Sequence, residues 1–231
     1  MKTLTNLTLT TAIATVVAFS PNTFAGRNTT TTSTGLDAVE ASLLTFMREE
    51  EKLARDVYRA LDDLWGMRVF RNIAGAEQTH MNRLGDLLVK YEIPDPVGDA
   101  GPGEFTNPEL QTLFDELIAQ GSLSLIDALV VGATIEDLDI HDLEVRLERT
   151  DNEDISTVYQ NLQKGSRNHL RAFASLLADS GVPYEPQYIS PEQFEAIVST
   201  PRERGRLDAD GNSLNCTRRP GGPRHRHGRA E

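Results

Sequence analysis

Glu77 and His80 stand three residues apart in the run "VFRNIAGAEQTHMNRLGDLLVKY" (69–91), whose apolar residues recur at helical spacing. Helix positions three and four apart share a face, so the face of Phe70, Ile73, Leu84, Leu87 and Tyr91 also carries this carboxylate and this imidazole. An ionised group on a buried stripe is costly unless something compensates it. The compensation must come from other segments.

Three further apolar stripes are interrupted near their middles. Leu43, Met47, Ala54, Val57, Leu61 and Leu64 leave a gap that Glu50 fills, while Glu49 and Glu51 are expected to point toward solvent or the edge. The stripe through Leu125, Leu129, Gly132, Leu143 and Leu147 includes Glu136 and Asp139, and that through Val158, Leu162, Phe173 and Leu176 includes Ser166 and His169. A divalent cation supplies the positive charge that buried carboxylates lack. Two helix pairs, each offering a Glu and then Glu-x-x-His, build a di-iron or di-manganese carboxylate site. The first pair fits with Glu50, Glu77 and His80. The second fits with Glu136 and His169, but Ser166 occupies the glutamate position, and either Asp139, one turn beyond Glu136, replaces the missing carboxylate or the second metal is weakly held. The expected metal ligands are therefore Glu50, Glu77, His80, Glu136, Asp139 and His169, holding iron or manganese, with zinc as the alternative. The competing reading is a buried polar network with Arg167 or Arg171 as counter-charges. Gly132 and Gly165, one turn before Glu136 and His169, either leave room for a small oxidant or let two helices approach. Trp65 and the five tyrosines read mainly as core or strap residues.

Four amphipathic helices must position these residues, over roughly 36–64, 68–91, 123–149 and 153–181, the third opening after Ser122 as its cap. The connection between the second and third contains "NPELQTLFDELIAQ", with an Asn cap and Pro in the first turn of a short helix. After Gly181, "VPYEPQYISPEQFEAIV" reads as an extended strap and a final short helix. Short links within pairs and one long crossover between them predict an all-α, ferritin-like four-helix bundle over 36–200.

The strings "EEEKLARDVY" (49–58), "NIAGAEQTHM" (72–81), "VGATIEDLDIHDLE" (131–144) and "GSRNHLRAF" (165–173) resemble those of a ferritin-like family known from microbial genomes as a domain of unknown function. Ferritins and rubrerythrins resemble it more distantly, in helix order and in the Glu77-x-x-His80 pair. The resemblance covers about residues 36–190; it implies a ferritin-like bundle with a metal site and carries no particular reaction.

The ends differ in character. Residues 1–25 read as a cleavable secretory signal, with Lys2, an apolar stretch to Phe19 and the small-residue ending "TFA", and 26–35 as a polar linker. No stretch has the length and apolarity of a membrane span. Residues 26–200 hold 14 Lys and Arg against 31 Asp and Glu, so nucleic acid is not an expected partner; residues 201–231 hold eight against four and read as a disordered basic tail. In that tail "DADGNS" (208–213) lacks the glycine and distal glutamate of a calcium loop, and His225 and His227 read as solvated. Cys216 is the sole cysteine, so no intrachain disulfide or cysteine-rich electron carrier can form.

The expected function is an exported ferritin-like oxidoreductase acting on dioxygen, peroxide or ferrous iron, with an external electron donor. The alternative is a non-catalytic metal-binding or interaction scaffold on the same bundle.

Overall fold

The computed structural model describes residues 35–214. The expected signal segment, nearly all of the linker, Cys216, His225 and His227 lie outside the described residues. Six helices follow in order: α1 (Ala38–Trp65), α2 (Arg68–Lys90), α3 (Pro108–Gly121), α4 (Leu125–Leu147), α5 (Glu153–Asp179) and α6 (Pro191–Val198). Two-residue strands β1 (Arg206–Leu207) and β2 (Ser213–Leu214) pair antiparallel. The described chain is all-α apart from this hairpin, as expected, and none of its helices is long and apolar enough to cross a membrane.

Capping fixes where α1 begins. Asp37 Oδ1 accepts from the amides of Val39 and Glu40 at 2.8 Å each, while the Glu40 carboxylate accepts from the Asp37 amide at 3.2 Å. At its other end Gly66, at φ +65°, adopts the left-handed conformation that lets the chain reverse into α2. Ser124, not Ser122, caps α4, accepting from the Asp127 amide at 3.0 Å. Ser122 instead closes α3, its hydroxyl donating to the Ile118 carbonyl at 2.6 Å. Spacing alone does not separate two serines two residues apart when both flank an apolar run.

α1 packs on α2 and α4 on α5, and contacts of α2 with α5 and α1 with α4 close the four long helices around one interior. That interior is apolar at both ends. One end is filled by Tyr58, Phe70 and Phe173, whose rings lie 5.6–6.3 Å apart, and the other by Leu44, Met47, Leu84, Leu143 and Leu162. The polar residues interrupting each stripe form the layer between.

The crossover between α2 and α4 is clamped by α1. Glu49 accepts from the Thr106 amide at 2.6 Å and from its hydroxyl at 2.8 Å. Lys52, fully buried, donates to Asp56 at 2.7 Å and to the Gly101 carbonyl at 2.8 Å. The crossover thus covers the face of α1 expected to meet solvent, and Glu49 and Glu51 are both buried, which corrects that expectation. On the opposite side Asp137 of α4, also buried, holds the strap by accepting from Tyr184 Oη at 2.8 Å and from the Ile189 amide at 2.9 Å.

Residues 201–214 correct a second expectation, because this part of the presumed disordered tail packs on α5. Asn161 and Asn168, seven residues apart on one helix face, each clasp at two points the backbone of this segment, which extends the strap beyond α6. Asn161 donates to the Leu207 carbonyl at 2.8 Å and accepts from its amide at 3.0 Å; Asn168 does the same with Glu203 at 3.2 and 2.8 Å. The "DADGNS" stretch forms the hairpin turn, with Asp208 accepting from the Asn212 amide at 2.8 Å.

Candidate metal centre

In the polar layer, Glu77 of α2 lies between two histidines. Its Oε2 is 2.7 Å from His80 Nδ1, one turn along the same helix, and its Oε1 is 2.8 Å from His169 Nδ1 of α5. Each histidine has a second carboxylate: His80 Nδ1 is 3.2 Å from Glu51 Oε2 of α1, and His169 Nδ1 is 3.3 Å from Glu136 Oε2 of α4. The imidazoles stack with centroids 5.8 Å apart. Two triads result, Glu51–Glu77–His80 and Glu77–Glu136–His169, in each of which one ligand atom per residue lies within 4.8 Å of the others. Glu77 is common to both.

Of the six expected ligands, Glu77, His80, Glu136 and His169 enter the triads; Glu50 and Asp139 do not. Glu50 faces Arg146 at 3.8 Å, and its place near His80 is taken by Glu51. The gap between Met47 and Ala54 admits either residue, since 50 and 51 each stand three from one neighbour and four from the other. Tyr58, seven residues from Glu51 on the same face, donates its buried hydroxyl to Glu136 Oε1 at 2.5 Å, a contact that the sequence alone does not reveal. Asp139 lies beside the triads, its Oδ2 accepting from Ser166 Oγ. The chain thereby brings a carboxylate from α4 to the position where α5 carries Ser166.

The electrostatics follow from burial and pairing. Burial pushes Glu51 well above the usual carboxylate range against the pull of His80, and raises Glu136 against the pull of His169. Glu77 behaves oppositely: burial works against its charge, but His169 and His80 hold it far below that range. Burial also disfavours charge on the imidazoles, yet Glu51 and Glu77 raise His80 well above its ordinary value, and Glu77 and Glu136 raise His169 to about 10. Asp139 is pushed up to about 7 by burial, with Glu136 and Glu77 adding to the rise and Ser166 opposing it.

Pairing is incomplete where it matters. Glu51 Oε1, Glu77 Oε1 and His169 Nδ1 are buried without a hydrogen-bond partner, although the last two are 2.8 Å apart. Among the described residues no Lys or Arg forms an ion pair with Glu51, Glu77, Glu136 or Asp139. Arg167 and Arg171, considered as counter-charges, instead grip Glu203 at 2.6 and 3.2 Å. Orphaned oxygen and imidazole atoms converging with no Lys or Arg paired to them fit the donor set of a divalent metal ion.

Two glycines make the geometry attainable. A Cβ on Gly165 would lie 2.6 Å from His80 Cε1 and Nε2, and one on Gly132 would lie 2.4 Å from the Phe173 ring. The room they leave is filled by side chains from neighbouring helices.

Fold and site define a class: an all-α protein whose long helices enclose a buried carboxylate–histidine cluster with a shared glutamate. The chain belongs to the family described as "Uncharacterized protein domain (DUF2202)", which matches residues 40–201. It is 57% identical over 159 residues to the uncharacterized protein MJ0754 of Methanocaldococcus jannaschii, covering 69% of this chain and 86% of that protein. The crystal structure of hypothetical protein MJ0754 from Methanococcus jannaschii superposes with a TM-score of 0.72 at 54% identity, covering 73% of this chain and 96% of that one.

Proposed function

We propose that this chain is an exported ferritin-like four-helix bundle that binds a pair of iron or manganese ions and acts as an oxidoreductase on dioxygen, peroxide or ferrous iron. The observation that carries the reading is the shared position of Glu77: one carboxylate oxygen belongs to each triad, and each triad adds one further carboxylate and one imidazole. Glu51, Glu77 and His80 would hold one ion, and Glu77, Glu136 and His169 the other, with Asp139 beside the second. Bound there, a redox-active pair supplies one-electron steps that no side chain of this cluster supplies.

The protein's own groups do the rest. Tyr58 donates to Glu136 Oε1 and so fixes which oxygen of that carboxylate remains free for the centre. The apolar clusters on either side of the layer shield its carboxylates from water, strengthening the interactions among them. An external donor would deliver electrons. Folding outside the cytoplasm would expose the chain to zinc, which suits the same ligands.

The second reading, a non-catalytic metal-binding scaffold, is favoured by Ser166, a neutral group where a symmetric two-metal site would carry a carboxylate. Elemental analysis of the purified mature protein, followed by addition of peroxide to the loaded form, tests both. Two equivalents of iron or manganese that change oxidation state are expected. Redox-silent metal would leave the scaffold, and no tightly bound metal would overturn the metal reading itself.

A further inference from the structure

A cavity of about 550 Å³ opens between α2, α5 and the strap, and both histidines line it. The Nδ1 atoms of His80 and His169 face the carboxylates, and neither Nε2 makes a hydrogen bond among the described residues. The space beside Gly165 is where the His80 edge carrying Nε2 lies. Where Nδ1 binds a metal ion, or where the ring carries both protons between its carboxylates, Nε2 holds a proton and can donate outward.

The rest of the lining carries a net positive charge, in a chain whose formal net charge is -12. It includes Lys164, Arg202 and Arg204. Its one acidic residue, Glu203, is bound by Arg167 and Arg171, which lie outside the lining, and its charge also reaches Lys164. Lys164 donates to the Gly205 carbonyl at 2.5 Å and to Asn161 Oδ1 at 3.1 Å, which leaves the third ammonium proton uncommitted. The asparagine clasps fix the roof, so the backbone that carries Arg202 and Arg204 is held over the cavity.

We propose that this cavity is a binding site for a small oxyanion, held by Lys164, Arg202 and Arg204 at its rim and by the imidazole Nε2–H groups at its floor. The proposal deepens the metal-centre reading, on which it rests for the meaning of the site; anion binding itself is measurable without metal. A cationic mouth repels ferrous ions and gathers anions, so the co-substrate or co-ligand arriving at the histidines by this route is anionic. The volume admits more than an inorganic ion, and a phosphate or a small carboxylate meets the same donors.

The test is calorimetric titration of the full chain with inorganic phosphate and with succinate at low ionic strength. It is done once after chelation and once loaded with manganese and freed of excess metal, with manganese content measured in parallel. Binding of either anion, weakened about tenfold in Lys164→Gln and in Arg204→Gln but unchanged in the remote Arg83→Gln, is expected, the size of one lost charge-assisted hydrogen bond. Which anion binds tells phosphate from carboxylate. Shifts of the His80 and His169 Nε2 signals in nitrogen NMR on adding the anion would place it at the floor. No binding of either anion up to about 10 mM, or affinities indifferent to Lys164 and Arg204, overturns the proposal. Anion binding in a protein that takes up neither manganese nor iron would instead overturn the metal reading and leave the anion site standing.

Discussion

Glu77 Oε1 and His169 Nδ1 stand 2.8 Å apart across the interface of α2 and α5, both buried, and neither completes a hydrogen bond. The pair is close enough for attraction but misaligned for a shared proton. Two ligand atoms left in this relation are what a cation between helices would engage, and the following expectations depend on that geometry.

Glu51 rather than Glu50 should control metal affinity. Glu51→Gln removes a carboxylate from the first triad, and a loss of at least about 100-fold is expected, beyond the range typical of outer partners. Glu50→Gln should leave affinity nearly unchanged and stability within about 1 kcal/mol, because burial already raises Glu50 and Arg146 keeps Asp142 as a partner at 3.2 Å. Competition with a chromogenic chelator measures the first quantity and thermal melting the second; equal effects of the two variants would reject the assignment.

Gly165→Ala and Gly75→Ala make a contrasting pair. Both glycines lie in helices, where alanine is favoured by about 1 kcal/mol. At Gly75 nothing lies within 4 Å of the added Cβ, so the melting temperature should rise. At Gly165 the Cβ meets the His80 ring at 2.6 Å, so stability should fall by about 1–3 kcal/mol and metal affinity with it. Stabilisation at both positions would mean that His80 is free to move aside.

Asp139 and Ser166 act as one unit. Since the Asp139 carboxylate already lies against Ser166 Oγ, Ser166→Glu should crowd a second negative charge into an occupied space and weaken metal binding. Asp139→Asn should weaken the ion nearer Glu136 more than the ion nearer Glu51. Stepwise manganese titration of each variant, read by electron paramagnetic resonance, checks the two directions. Tighter binding in Ser166→Glu would show that Asp139 does not serve the centre.

Acid should release the strap. Burial disfavours charge on Glu203, but Arg167 and Arg171 hold its carboxyl below the usual range. A carboxyl depressed in the folded state contributes stability that is present above its unfolded value, about 4.3, and lost as pH falls through the folded one. Glu203→Gln at neutral pH should imitate the protonated state. Hydrogen exchange at the amides of residues 203 and 207, which donate to Asn168 and Asn161, should then quicken while exchange in the core of α5 does not. Equal protection in both proteins would show that the asparagines alone hold the strap.

The sequence by itself determined the helices and most of the site's chemistry. A period of 3.6 with apolar stripes is a local property, and so is the coincidence of Glu77 with His80 on one face, because one turn of one helix decides it. The caps at Asn107 and the stop at Gly181 are equally local. What tertiary structure decided was every choice between near-equivalent positions. Glu50 and Glu51 differ by one residue, about 100° around the helix, and either satisfies the stripe. Only the placement of the crossover, which buries α1 on the side of Glu49 and Lys52, leaves Glu51 facing His80. Likewise a basic segment read by composition became a roof because Asn161 and Asn168 offer its backbone partners. Composition reports what a segment can bury alone; partners 35 and 46 residues away lie outside that information.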